Sequence, residues 1–309
     1  MTSAVQVRLG TRASPLARWQ ANWVSRRLAE LGADVKLVPI RTAGDRLRGP
    51  IAAGSAVGVF TKELQHSLLD GRIDLAVHSL KDLPTERVEG LSLAAVPERA
   101  AVADALVSVR YASLEALPGA AVVGTGSLRR RAQLLCVRPD LAMKQVRGNV
   151  DTRLRKLSEG QYDALVLAEA GLVRLECEDT IRERLPTSIM LPAVGQGALG
   201  LETRGDDGPL RELLSGLDHP PTHAAVTAER AMLSALAGGC LAPIAAWGRV
   251  EDGRLILSAR VLSSDGRRRL DASVTGDPED ADELGRRAAE ELLAQGAAEL
   301  IRQAREGNV

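Results

Sequence analysis

Three times before residue 154 the chain passes from a short apolar run, through a turn of small residues, into an amphipathic stretch, and each turn carries arginine. The first passage leads from Val5–Leu9 into Thr11-Arg12-Ala13-Ser14-Pro15. The second leads from Ala121–Val123 into Gly124-Thr125-Gly126-Ser127-Leu128-Arg129-Arg130-Arg131, and the third from Ala142–Val146 into Arg147-Gly148-Asn149-Val150-Asp151-Thr152-Arg153. Strands alternating with helices predict parallel sheets flanked by helices. Ser14 before Pro15 gives an N-cap with proline at the first helical position, so a helix is expected from Pro15 to about Leu31, with Gly32 as its left-handed stop.

The same reading places a buried-type strand at Val35–Ile40, strands at Asp74–His78, Leu91–Val96 and Ala164–Leu167, and helices over Asp206–Leu217 and Pro221–Ala237. Residues 46–59, rich in glycine and small side chains, form a loop of functional length. The last third changes character. Ile244–Val250 and Leu255–Leu262 flank Glu251-Asp252-Gly253-Arg254, a hairpin signal; a strand near Leu270–Val274 and one long amphipathic helix from about Asp280 to Arg302 follow. The expected fold class is α/β: two doubly wound domains of the solute-binding-protein kind plus a smaller C-terminal α+β domain. The expected division is residues 1–97 with 198–217, residues 98–197, and residues 218–309.

Aromatic residues make up 2% of the chain against 45% hydrophobic, so the cores must be aliphatic. A net charge of zero argues against a nucleic-acid-coating protein. The first ten residues hold no long apolar run and no stretch approaches ~20 apolar residues, so neither a secretory signal nor a membrane span is expected. Three cysteines, Cys136, Cys177 and Cys240, suggest no disulfide framework. The histidines show no metal-ligand spacing: Pro220 and Pro221 are expected to keep His219 and His223 off a shared helical face, and no metal is expected.

Arginine abundance carries little, since the 40 basic residues include only five lysines and the composition favours arginine throughout. Position carries more. Three arginines in the first turn of a helix oppose its dipole by up to ~1 kcal/mol each, and a bound anion reverses that sign. In an open α/β sheet such turns border the binding crevice. Arginine suits bidentate recognition of carboxylate or phosphate, so a small polyanion is the expected ligand. The plainer alternative is solvent-facing arginine. His78-Ser79-Leu80-Lys81-Asp82-Leu83-Pro84 ends a strand in a turn, where Asp82 can be a simple cap and Lys81 its solvated neighbour. No Ser-His-Asp, paired-carboxylate or P-loop arrangement competes for a catalytic role. Cys240, after Gly238-Gly239, reads as a small buried hydrophobe or as an accessible attachment point.

The segments Gly10–Ala17, Ala76–Pro84, Gly124–Arg130, Val146–Arg153, Leu191–Ala198, Thr227–Arg230 and Gly238–Pro243 together resemble, in order, the motifs of the porphobilinogen deaminase family. The resemblance implies a dipyrromethane cofactor joined by thioether to Cys240, in the third domain. Four porphobilinogens are then added with loss of ammonia, and linear hydroxymethylbilane is released by water. It implies catalytic Asp82 and Lys81, and cofactor contacts from Lys81, Asp82, Thr125, Ser127, Arg129, Arg130, Arg147 and Gly148. Substrate contacts are implied for Arg12, Ser14, Phe60, Arg147, Arg153, Arg174 and Gln196. The family often has serine where this chain has Gly126, and lysines in the loop that here reads Ala53–Val59. A cytoplasmic monomer acting on porphobilinogen, without nucleic acid or membrane, is the resulting expectation. A non-enzymatic polycarboxylate-binding protein is the competing one.

Overall fold

The computed structural model describes residues 5–40, 61–237 and 242–307. Phe60, the segment 46–59 and Cys240 lie outside the described residues. The chain forms two compact units, Met1–Arg99 with Ala198–Ala224, and Ala100–Gly197 with Ala225–Val309.

The first unit is built on a five-stranded sheet in the order Asp34–Pro39, Gln6–Thr11, Leu75–Ser79, Leu199–Arg204, Leu91–Ala95. Because successive side chains point to opposite faces, Leu75 and Val77 enter one core and Ala76 the other. On the first face the helix Pro15–Glu30 lays down Ala21, Val24 and Leu28. On the second, the helix Lys62–Leu69 contributes Leu64 and Leu68. Each fully buried leucine contributes about 2 kcal/mol of apolar burial. Ser14 caps its helix as expected, its Oγ accepting from Ala17 N–H at 3.3 Å.

The second unit repeats the plan in the order Ala142–Lys144, Val122–Gly124, Ala164–Ala168, Asp104–Val107, Ile181–Leu185. Leu106, Val123 and Val166 fill one face; Ala105, Val107, Leu165 and Leu167 fill the other. The same unit holds the antiparallel sheet Ile244–Glu251, Arg254–Leu262, Arg269–Gly276, against which two C-terminal helices pack. The architecture is two α/β sheets with a small C-terminal sheet-and-helix layer.

Four expectations need correction. The sheets are mixed rather than parallel: Leu199–Arg204 and Asp104–Val107 each run antiparallel to both neighbours. The strand at Asp34–Pro39 is an edge strand with no fully buried residue, not a buried one. The long final helix is two, Ala281–Ala294 and Ala297–Glu306, broken at Gly296, whose φ of 96° no helix accommodates. Pro220 and Pro221 open the helix Pro220–Ala235 instead of disrupting one, since proline is tolerated in the first turn. His219 and His223 still diverge, to Thr222 Oγ1 and Asp218 Oδ1, each at 2.8 Å. Among the described residues no His, Cys, Asp and Glu cluster suits a metal, and no helix is long and apolar enough to cross a membrane.

Candidate active site

In the first unit the carboxyl ends of Gln6–Thr11 and Leu75–Ser79 border a cavity of about 60 Å³. Arg12, Ser14, Gln20, Thr61, His78, Ser79 and Asp82 line it. Three residues from two separate sequence motifs, Arg12 and Ser14 from one and Asp82 from the other, therefore meet in one place. Asp82 sits on the short 3-10 turn Leu80–Asp82. Buried Leu80 and Leu83 pin that turn, and Leu80 N–H donates to Ala198 O at 3.0 Å. The Asp82 side chain is exposed, and among the described residues its carboxylate accepts no hydrogen bond. Capping is thus not its use in this turn. Lys81 is half-buried beside it.

The cavity wall is braced by side-chain contacts that sequence motifs did not reveal. Gln20 Nε2 donates to Ser79 Oγ at 2.7 Å, fixing the strand end from the capped helix. His78 Nε2 lies 3.0 Å from Glu202 Oε2, and Gln65 Nε2 donates to Glu202 Oε1 at 3.0 Å. All three are buried, so the pair of titratable groups is satisfied inside the protein.

In the second unit the arginines at the helix start have an internal partner, which the sequence did not foretell. Ser127 Oγ caps the helix Leu128–Val137 by accepting Arg130 N–H at 3.4 Å, and Thr125 Oγ1 accepts Ser127 N–H at 3.2 Å. Arg129 and Arg130 are neither solvated nor pointing outward: they are 4% and 6% exposed. The anion that offsets them is internal, the wholly buried Asp104 at the start of a central strand. Arg129 Nη1 stands 2.7 Å from Asp104 Oδ2, and Arg130 Nη2 2.7 Å from Oδ1. Burial opposes ionisation of Asp104, but the two guanidiniums outweigh it and hold the carboxyl at about 2. Burial pushes the Arg129 guanidinium down, and its Arg130 neighbour adds to that.

Gln196, expected among the substrate contacts, is fully buried and committed elsewhere: its Nε2 donates to Val102 O at 2.8 Å and to Asp104 Oδ1 at 3.0 Å. Arg174 Nη2 donates to Gly197 O at 2.8 Å, and burial pushes this guanidinium down to about 10. Arg147 is exposed. Gly148 next to it holds φ at 113°, where an added Cβ would come within 2.7 Å of Thr152 Cγ2, so glycine is required for the turn. Arg153 Nε reaches back to Gly148 O at 2.7 Å. Asp104 was not legible as a site residue, because in sequence it is one acid in the run Val102–Val107, and its partners Arg129 and Arg130 lie some 25 residues further along the chain.

The donors suit a ligand with several carboxylates. Arginine, serine and threonine side chains stand at strand ends, and Arg129 Nε is a buried donor with no hydrogen-bond partner among the described residues. Sheets of this plan, with a carboxylate-bearing cavity in one unit and buried arginines at a helix start in the other, define an α/β protein with charged side chains set at strand ends. Residues 7–212 match the family model described as porphobilinogen deaminase, dipyromethane cofactor binding domain, and residues 223–294 match the porphobilinogen deaminase C-terminal domain. The porphobilinogen deaminase of Pelotomaculum thermopropionicum is 50% identical over 304 residues, 97% of each chain. That of Geobacter sulfurreducens is 49% identical over 301 residues, covering 96% of this chain and 94% of the relative. A nutrient-binding protein from Burkholderia cenocepacia, solved with methionine, is 14% identical over 69% of this chain and 90% of its own, with a TM-score of 0.42. The chain belongs to the porphobilinogen deaminase family, an enzyme family of tetrapyrrole synthesis whose first domain binds a dipyrromethane cofactor.

Proposed function

We propose that Asp82 is the catalytic carboxylate of a hydroxymethylbilane synthase, a transferase that condenses four porphobilinogens in succession on a dipyrromethane held by Cys240. The observation that carries this reading is the Asp82 carboxylate, which accepts no hydrogen bond among the described residues, in one cavity with Arg12 and Ser14. When bound, the dipyrromethane supplies the pyrrole carbon on which the first incoming ring is joined, together with carboxylates for arginine to grip.

Asp82 acts on the pyrrole nitrogen of porphobilinogen. As the C–N bond to the aminomethyl nitrogen breaks and ammonia departs, positive charge spreads to the ring nitrogen, and a carboxylate there stabilises it as it forms. The same carboxylate can take the proton lost when the joined ring regains aromaticity. Lys81, Arg12, Ser14, Arg147, Arg153 and Arg174 hold acetate and propionate groups, with Phe60 packed on a ring. Thr125, Ser127, Arg129, Arg130 and Gly148 serve the resident dipyrromethane. Gln196 takes part by holding Asp104 in place.

We take residues 218–309 as a third domain that presents Cys240, alongside domains formed by 1–97 with 198–217 and by 98–197. Monomeric action in the cytoplasm completes the proposal; Cys136 and Cys177, both unpaired thiols, suit a reducing compartment. Protein from cells that make porphobilinogen should exceed the sequence mass by a covalent dipyrromethane, and peptide mapping should place it on Cys240. Fully active protein with an unmodified Cys240 overturns the assignment.

A further inference from the structure

Two adjacent guanidiniums share one carboxylate in the second unit, and the sharing is unequal. Arg130 spends its donors within the protein: Nε on Asp104 Oδ1 at 2.9 Å, Nη1 on Val166 O at 3.1 Å, and Nη2 between Asp104 and Gln196 Oε1. Arg129 spends Nη1 on Leu191 O at 2.6 Å and on Asp104 Oδ2, while its Nε has no hydrogen-bond partner among the described residues. Asp104 is the one carboxylate within ion-pair distance of either arginine among those residues, so the buried trio carries one positive charge in excess.

We infer that Asp104 is a positioning residue for cofactor capture: it offsets one of the two charges, locks both guanidiniums, and leaves Arg129 with a buried Nε donor for an arriving anion. The inference rests on the proposed reading that Arg129 takes a carboxylate of the dipyrromethane. Like charges on neighbouring residues would otherwise drive the two side chains apart, and an arriving carboxylate would have to reassemble them. With Asp104 in place, itself held by Gln196, the donors are arranged before the ligand arrives, and little reorganisation accompanies binding.

The test uses full-length apoprotein made in cells lacking porphobilinogen, then supplied with porphobilinogen in the cold, with covalent dipyrromethane followed by intact mass. Thermal unfolding establishes that each variant is folded under the assay conditions. Asp104→Asn should load at least about tenfold more slowly than wild type, the loss expected for one charge-assisted contact. Asp104→Ala should load slowly too, and formate, a carboxylate small enough to occupy the vacated space, should speed it where chloride at equal concentration does not. Wild-type loading by Asp104→Asn overturns the inference. So does formate acting no better than chloride, or failure of both variants to fold, since either outcome makes Asp104 a purely structural acid. Wild-type apoprotein that gains no mass instead refutes the dipyrromethane reading itself, which keeps the two claims separable.

Discussion

The Glu229 carboxylate accepts the N–H of Gly195 at 2.6 Å through one oxygen and that of Gly248 at 2.7 Å through the other. It is fully buried, and it ties the helix Pro220–Ala235 both to the loop before the strand Leu199–Arg204 and to the first strand of the small sheet. Replacing Glu229 by glutamine leaves one of the two N–H groups facing an NH₂ instead of an oxygen. An unsatisfied buried donor costs about 1–3 kcal/mol. Glu229→Gln should therefore lower the thermal midpoint by several degrees, measured by calorimetry, and Glu229→Ala should lower it further. An unchanged midpoint in both variants would remove Glu229 from the list of structural anchors.

Asp104 makes a prediction about acid. Its carboxyl titrates near 2 in the folded protein, against about 3.9 for an unperturbed aspartate. A carboxyl with a depressed folded pKa stabilises the native state above its unfolded pKa, and that contribution is lost as pH falls through the folded value. The loss accordingly runs from about pH 4 down to about pH 2, and amounts to about 2–3 kcal/mol. Asp74, paired with Arg8 and Arg204, is also held at about 2, so acid destabilisation of wild type alone does not isolate the effect. The difference between wild type and Asp104→Asn does. Urea unfolding at pH 5, 4 and 3 should show that difference shrinking as pH drops; a constant gap would mean Asp104 is not the titrating group.

The fold was legible where local chemistry decided it. Ser14-Pro15 and Ser127 announced helix starts, and Asp252-Gly253 announced a hairpin, because caps and turns are short-range devices. The antiparallel strands were not legible for the opposite reason. Ile181–Leu185 alternates apolar with charged residues and Leu199–Arg204 contains glycine and glutamate, so only pairing with distant strands makes them strands. In the site, Arg12, Ser14 and Asp82 were found from motifs, and the structure brings them to one cavity. Asp104 and Glu202 act through partners 26 and 124 residues away, a separation at which a sequence read locally carries no signal.

Arg129 and Arg147 should respond differently to the same substitution. Arg129→Leu removes a partner of a buried carboxylate and leaves Asp104 less well paired, which costs about 3–5 kcal/mol of stability. Arg147 is exposed, so Arg147→Leu should stay within about 0.5 kcal/mol of wild-type stability. It should nevertheless lose a charge-assisted contact of about 1.5–3 kcal/mol to a carboxylate of the growing chain. Native mass spectrometry during turnover should show enzyme carrying partly extended chains for Arg147→Leu, and apoprotein for Arg129→Leu. Normal turnover with normal stability in both would break the assignment of these arginines.

Asp82→Asn is the sharpest test of the chemistry. Asparagine keeps the volume and removes the charge, and the side chain is exposed on a turn held by buried Leu80 and Leu83. No hydrogen bond of the described residues depends on the carboxylate, so the variant should melt within about 0.5 kcal/mol of wild type. Charge stabilisation is what it should lose. A preorganised group facing developing charge contributes about 10²–10³ in rate, or about 3–4 kcal/mol. Ammonia release by cofactor-loaded Asp82→Asn should fall by that factor while substrate binding through the arginines persists, so the loss should appear in kcat more than in KM. A cap would predict the reverse, because asparagine and aspartate rank alike at helix starts and the exchange would be silent. Near-normal ammonia release would therefore leave the Ala76–Pro84 segment as a structural turn, and the search for the charge-stabilising group would move to Ser14 and Arg12 in the same cavity.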